Sequence, residues 1–63
     1  MTNRVAEIRK ERGLSQQELA EKANVSRPYL SVIETNQNKT VSNSVMFRLA
    51  KALGVGIETI FLP

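Results

Sequence analysis

Arg27, Ser31 and Val32 are spaced so that their side chains stack on adjacent turns of one helical face. Their chemistry suits the edge of a base pair. A guanidinium makes a bidentate contact to guanine or clamps a phosphate, and a hydroxyl donates or accepts at a base edge. A branched apolar group, helped by the neighbouring Pro28 ring, packs on a thymine methyl. Upstream, Ser15, Gln16 and Gln17 open another helical segment, and the free amides of a helix start attract anions such as a DNA phosphate. Downstream, Thr35, Asn36, Asn38, Lys39 and Thr40 form a polar stretch able to touch the sugar–phosphate backbone. Contacts of that kind set position without reading sequence. Tyr29 reads as a partly buried edge of the core whose hydroxyl reaches the surface, within range of a phosphate.

The elements that must position these residues are legible from local signals. Ser15-x-x-Glu18 is a capping box, in which hydroxyl and carboxylate each satisfy a main-chain amide of the other residue. It starts a helix with Leu19, Ala20 and Ala23 on its buried stripe. Asn24 stands at the turn that follows, where a left-handed conformation is needed and Asn tolerates it better than most residues. Val25 is expected to fill the angle between the two helices. Ser26 is the N-cap of the next helix, and Pro28 falls in its first turn, where a missing amide hydrogen costs nothing. Leu30 and Ile33 face inward, leaving Arg27, Ser31 and Val32 outside. Two helices joined by such a turn can lay the second in the major groove of DNA.

Three further helices complete the expected scaffold. One covers Asn3 to Arg12, with Val5 and Ile8 inward and Gly13 as its stop. Thr35 to Val41 reads as a polar loop. Ser42 then caps a helix with Val45, Met46, Leu49, Ala50 and Leu53 inward and Gly54 as the stop. A short last helix runs from Ile57 to Phe61 and ends before Pro63. The expectation is an all-α fold of five helices in a single domain spanning residues 1–63.

Bulk properties bound the function. A domain of 63 residues buries only about 60% of its unfolded surface and is marginal alone. With no Cys and no His, disulfides and the common metal sites are excluded, and no cofactor or small-molecule ligand is evident. An enzyme is the weakest reading, because without His, Cys or Asp the usual nucleophile–base pairs cannot be assembled. The net charge of +3 permits a nucleic-acid partner without establishing one. Its placement is more telling, since Lys39, Arg48 and Lys51 are the only charges between Thr35 and Ile57. No apolar run approaches the roughly 20 residues of a membrane span. The N-terminus has no apolar signal region, so the chain is expected in the cytoplasm. Ile57, Ile60, Phe61 and Leu62 are dense apolar content for so small a chain. They are expected to cap the core and also to form the seam of a homodimer.

Three segments together carry a family resemblance: Leu-Ser-Gln-Gln-Glu-Leu-Ala-Glu-Lys-Ala, Val-Ser-Arg-Pro-Tyr-Leu-Ser-x-Ile-Glu, and Leu-Ala-Lys-Ala-Leu-Gly-Val. From about Arg4 to Phe61 the chain resembles the phage-repressor and Cro-like helix-turn-helix family, also called the xenobiotic response element family. The resemblance implies a five-helix, lambda-repressor-like DNA-binding domain that binds a two-fold symmetric operator as a dimer. It implies a phosphate contact for Gln16 and a groove-facing position for Arg27, Pro28, Ser31 and Val32. It also implies a salt bridge between Arg9 and Glu34. The sequence departs from the family pattern at Asn24, where Gly is commonest, and at Val32, where a polar residue is frequent. The loop after Glu34 lacks the usual Gly and Pro, and Gly56 replaces the usual Ser or Thr cap. The expected role is a transcription regulator, most simply a repressor of double-stranded DNA targets. The alternative is an antitoxin or regulatory subunit whose main task is to bind a protein partner such as a toxin.

Overall fold

Asn3, on the edge of the expected first helix, instead begins the fold as extended chain. The computed structural model describes residues 2–35 and 40–62. Among them a strand β1 (Thr2–Asn3) leads into α1 (Val5–Glu11), α2 (Gln16–Ala23), α3 (Arg27–Thr35), α4 (Asn43–Leu53), α5 (Ile57–Ile60) and a closing strand β2 (Phe61–Leu62). The five helices match the expectation. The strand pair does not appear in it. β1 and β2 run antiparallel, with Thr2 opposite Leu62 and Asn3 opposite Phe61. The amide of Arg4 extends the pairing to the carbonyl of Ile60 at 2.8 Å.

This pairing explains both boundary corrections. Asn3 lies outside α1 because its main chain joins the strand, while its Oδ1 accepts from the amide of Val5 at 3.1 Å and so caps the helix from two residues back. Phe61 lies outside α5 for the same reason.

The local signals place the helices in between. Ser15 and Glu18 form the capping box in both directions, at 3.0 Å to the hydroxyl and 2.9 Å to the carboxylate. The Ser26 hydroxyl accepts from the amide of Tyr29 at 3.2 Å, and that of Ser42 accepts from Val45 at 3.3 Å. Asn24 ends α2 at φ 57° and ψ 47°, the left-handed conformation expected of it. Gly54 ends α4 at φ +73°, where a side chain would be strained.

The core forms where α2 packs on α3 and α4, closed by α1, α5 and the strands. Its most enclosed members are Leu19, Leu30, Ile33, Leu49, Ile60 and Val5. Each such side chain contributes roughly 1.5–3 kcal/mol by leaving water. All five inward residues expected on α4 are buried. Val41, read from sequence as part of a polar loop, is also buried and belongs to the core. An isolated apolar residue in a polar stretch has no period to reveal its direction; here it fills space beside α4's start.

Candidate nucleic-acid interface

The second helix of the pair divides cleanly into two faces. Leu30, Ile33 and Glu34 are buried, at the spacing that points into the core. Arg27, Pro28, Val32 and Thr35 are exposed, and Ser31 is half-buried among them. The outward row therefore carries one cation, one proline ring, one hydroxyl and one branched apolar group over two turns. Val32 is 42% exposed, an unusual position for a valine in so small a domain. Tyr29 is half-buried against the core, as expected.

What holds this face outward is a buried polar network at the end of α3. Arg9 on α1 donates through Nε and Nη2 to the Glu34 carboxylate at 2.8 and 3.3 Å, a forked ion pair. The two side chains are 12% and 4% exposed. The remaining Nη1 donates to the carbonyl of Leu14 at 2.7 Å, which anchors the link between α1 and α2. The side-chain amide of Gln16 adds a third element by donating at 2.9 Å to Oε1 of Glu34, the oxygen that also accepts from Nη2 of Arg9. A buried carboxylate is tolerable only when charge and lone pairs are both satisfied. Here one acid on α3 is satisfied by side chains from α1 and α2, so the three helices are locked at fixed angles. The expected pair of Arg9 and Glu34 is present, and Gln16 joins it.

That finding refines the role expected of Gln16. Its side chain points partly inward, toward Glu34, and is not wholly free for an external anion. A primary amide carries two N–H donors and a carbonyl acceptor. One donor holds Glu34, and the second stays available beside the start of α2. Gln17 is exposed, but its amide donates to Glu21 at 3.0 Å. The Ser15 hydroxyl already accepts from Glu18, leaving its own hydrogen for an anion. The exposed Thr35 donates its hydroxyl back to the carbonyl of Ser31 at 2.8 Å. Asn36, Asn38 and Lys39 lie outside the described residues.

The Glu18 carboxyl is held below its usual range, mainly by the main-chain amide of Ser15 and further by the Ser15 side chain. It therefore stays charged near neutrality and keeps the cap closed. Arg4, just ahead of α1, and Glu7 within it pair at 3.0 Å on the exposed surface.

Two residues to which the sequence reading gave no part in the site also position it. Asn3 reaches the carbonyl of Ile33 in α3 through its side-chain amide at 3.0 Å. Arg48 donates to the carbonyl of Asn24 at 3.2 Å and ties α4 to the turn of the helix pair. The capping use of Asn3 is a local pattern a sequence can show. The two long-range bonds leave no trace in spacing.

The apolar C-terminus serves the chain's own core first. Ile60 is fully enclosed and Phe61 is 7% exposed, so neither keeps a surface for a second chain to cover. The seam expected of them is corrected on that ground. Ile57 is half-buried, and the side chain of Leu62 lies outside the described residues.

Among the described residues, no group of three or more acidic or other common ligand side chains is placed to hold a metal ion. No helix there is long and apolar enough to cross a membrane.

Residues 5–60 match a family model described as helix-turn-helix. The immunity repressor protein of Bacillus phage phi105 is 47% identical over 57 residues, 90% of this chain and 39% of that protein. The HTH-type transcriptional regulator SinR of Bacillus subtilis (strain 168) is 40% identical over 57 residues, covering 90% of this chain and 51% of its own. The chain thus spans about half the length, or less, of these curated relatives. Among solved structures, SinR in complex with DNA superposes with a TM-score of 0.84 at 41% identity, covering 89% of each chain. A complex of SinR with SinI gives a TM-score of 0.83 at 41% identity, over 89% of this chain and 54% of the other.

Proposed function

The chain belongs to the helix-turn-helix family, and on that premise we propose that it binds double-stranded DNA sequence-specifically and regulates transcription. In this reading it is a repressor that occupies a palindromic operator as a homodimer. The carrying observation is the outward row of Arg27, Pro28, Ser31 and Val32, on a helix whose opposite face is locked by Arg9, Glu34 and Gln16. A rod presented on a rigid mount spends little free energy on ordering when it enters a groove. Arg27 takes guanine or a phosphate, Ser31 a base edge, and Val32 with Pro28 a thymine methyl. Ser15, Gln16 and Gln17 hold a phosphate at the start of α2, with Tyr29, Thr35, Asn36, Asn38 and Lys39 as further backbone contacts.

The relatives support this reading. A phage immunity repressor shares almost half of the matched residues, and SinR has been solved with DNA over a segment of the same length and shape. Within the family we place the chain with the phage-repressor and Cro-like proteins, on the three segments quoted above. We read residues 1–63 as one domain working in the cytoplasm. In a two-fold dimer the two α3 helices sit about 34 Å apart, one turn of DNA.

The test is selection of bound duplexes from a random pool, followed by sequencing. A palindromic consensus is the expected result, and recovery of no consensus overturns sequence-specific binding. Log affinity for the selected duplex should fall steeply with log salt as phosphate contacts release counterions.

A second reading, in which the main ligand is another protein, is favoured by the solved complex of SinR with SinI. Co-purification of a stoichiometric protein partner, with no consensus from the duplex selection, would decide for it.

A further inference from the structure

Three cations gather where the end of α2 meets α4. An open groove of about 420 Å³ is lined there by Lys22, Ala23, Asn24, Arg48, Lys51 and Ala52. Among the described residues no acidic side chain lines it, and the ion pairs of Arg4 with Glu7 and Arg9 with Glu34 involve none of these cations. The acids nearby along α2 are engaged elsewhere, Glu18 in the Ser15 cap and Glu21 as the acceptor for Gln17. Like charges around one groove repel, a cost that a bound anion removes. The last turn of a helix favours a cation, which accounts for Lys22 in α2 and Lys51 in α4. It does not account for Arg48 in the middle of α4. The Arg48 guanidinium is only partly satisfied. Its Nη1 donates to the carbonyl of Asn24 at 3.2 Å, while Nε is buried with no acceptor among the described residues. A buried donor without a partner costs free energy that an incoming acceptor recovers.

We infer that this groove binds an acidic segment of a partner protein, with carboxylates on Lys22, Arg48 and Lys51 and apolar side chains on Ala23 and Ala52. A guanidinium takes a carboxylate through two parallel N–H bonds, and the flanking ammonium groups take others as point charges. The small residues matter as much as the charges. Ala23 is buried and Ala52 half-buried, so the floor between the cations is apolar and leaves room for an aliphatic side chain. A sugar–phosphate backbone brings no apolar group to such a floor, which favours a polypeptide over nucleic acid as the occupant. Position favours it too. No residue of α3 lines the groove, so the partner and a duplex held by the outward row of α3 meet different parts of the domain. Apolar contact inside a charged rim combines fast encounter with discrimination between partners. The inference does not depend on the DNA reading, and its first test contains no duplex.

Magnetic-resonance titration of the isotopically labelled whole chain with a synthetic peptide of Glu-Glu-Leu repeats tests the groove. The amide signals of Lys22, Ala23 and Asn24 and of Arg48, Lys51 and Ala52 should move saturably, with a dissociation constant of about 1 mM or tighter at low salt. Lys22→Gln combined with Lys51→Gln should weaken binding by about fivefold. Both lysines are exposed, so the fold tolerates the changes, and an unaltered circular dichroism spectrum verifies it. A peptide of Lys-Lys-Leu repeats should leave the same signals unmoved. No saturable shift, shifts confined to other residues, or equal affinity in the double variant overturns the inference. Inorganic phosphate moving the same signals as tightly as the peptide also overturns it, in favour of a small-anion site. A duplex arm excludes nucleic acid. The double variant should bind the selected duplex with the parent's salt dependence. A slope of log affinity against log salt reduced by about two would place DNA phosphates on the lysines and overturn a protein occupant. If the duplex selection yields no consensus, the peptide titration still decides the groove, so the two readings fail separately.

Discussion

The side-chain amide of Asn3 donates to the main-chain carbonyl of Ile33 at 3.0 Å, joining the first residues of the chain to the last turn of α3. That carbonyl is among the last four of the helix, which have no partner within it. Asn3 is itself held by its strand pairing with Phe61, and its Oδ1 caps α1. One buried side chain thus links both ends of the chain to the helix proposed to enter DNA.

Asn3→Ala should therefore cost about 1–3 kcal/mol, since it strands a buried acceptor on Ile33 and the amide of Val5 together. The urea midpoint checks it. A midpoint within error of the parent would show that the bond to Ile33 contributes nothing to stability.

Glu34→Ala should be more severe, about 3–5 kcal/mol, because Arg9 is left as a buried cation without its counter-charge. Adding Arg9→Ala should then cost far less than the same change in the parent. Additive losses in a double-mutant cycle of thermal or urea unfolding would mean that the two residues act independently.

Arg27→Ala removes only an exposed side chain, so stability should stay within about 0.5 kcal/mol of the parent. Affinity for the selected duplex should nevertheless drop by about 1–3 kcal/mol, with preference relaxed at one base-pair position. A gel-shift titration giving equal affinities for mutant and parent would remove Arg27 from the interface.

The Glu18 cap makes stability depend on pH with a definite sign. Its folded value lies below that of an ordinary glutamate, because the Ser15 amide and side chain favour the charged form. The contribution is therefore complete above that ordinary value and is lost as pH falls through the lower folded one. Thermal melts between about pH 6 and pH 3 should show the parent losing more stability than Glu18→Gln, which cannot titrate. Parallel losses in the two proteins would show that the Ser15–Glu18 contact is not linked to proton binding.

Much of the fold could be read along the chain because its signals act over three or four residues. Ser15, Ser26 and Ser42 cap helices through amides three positions ahead, and Asn24 and Gly54 stop helices by their own backbone preference. Apolar spacing on α3 and α4 separated buried from exposed faces correctly, and with them the row from Arg27 to Val32. The pair of Arg9 and Glu34 was expected only through the family resemblance.

The sequence alone determined where α2, α3 and α4 begin, where α2 and α4 end and which stripe each of these buries, since those choices are settled by neighbours within one turn. Only the tertiary structure decided the rest. It closed Asn3 onto Phe61, aimed the Asn3 amide at Ile33, turned Gln16 toward Glu34 and drew Val41 inward. Each of these depends on residues far apart in the chain arriving at the same point. Their partners are fixed by how whole helices pack, and no local spacing records that.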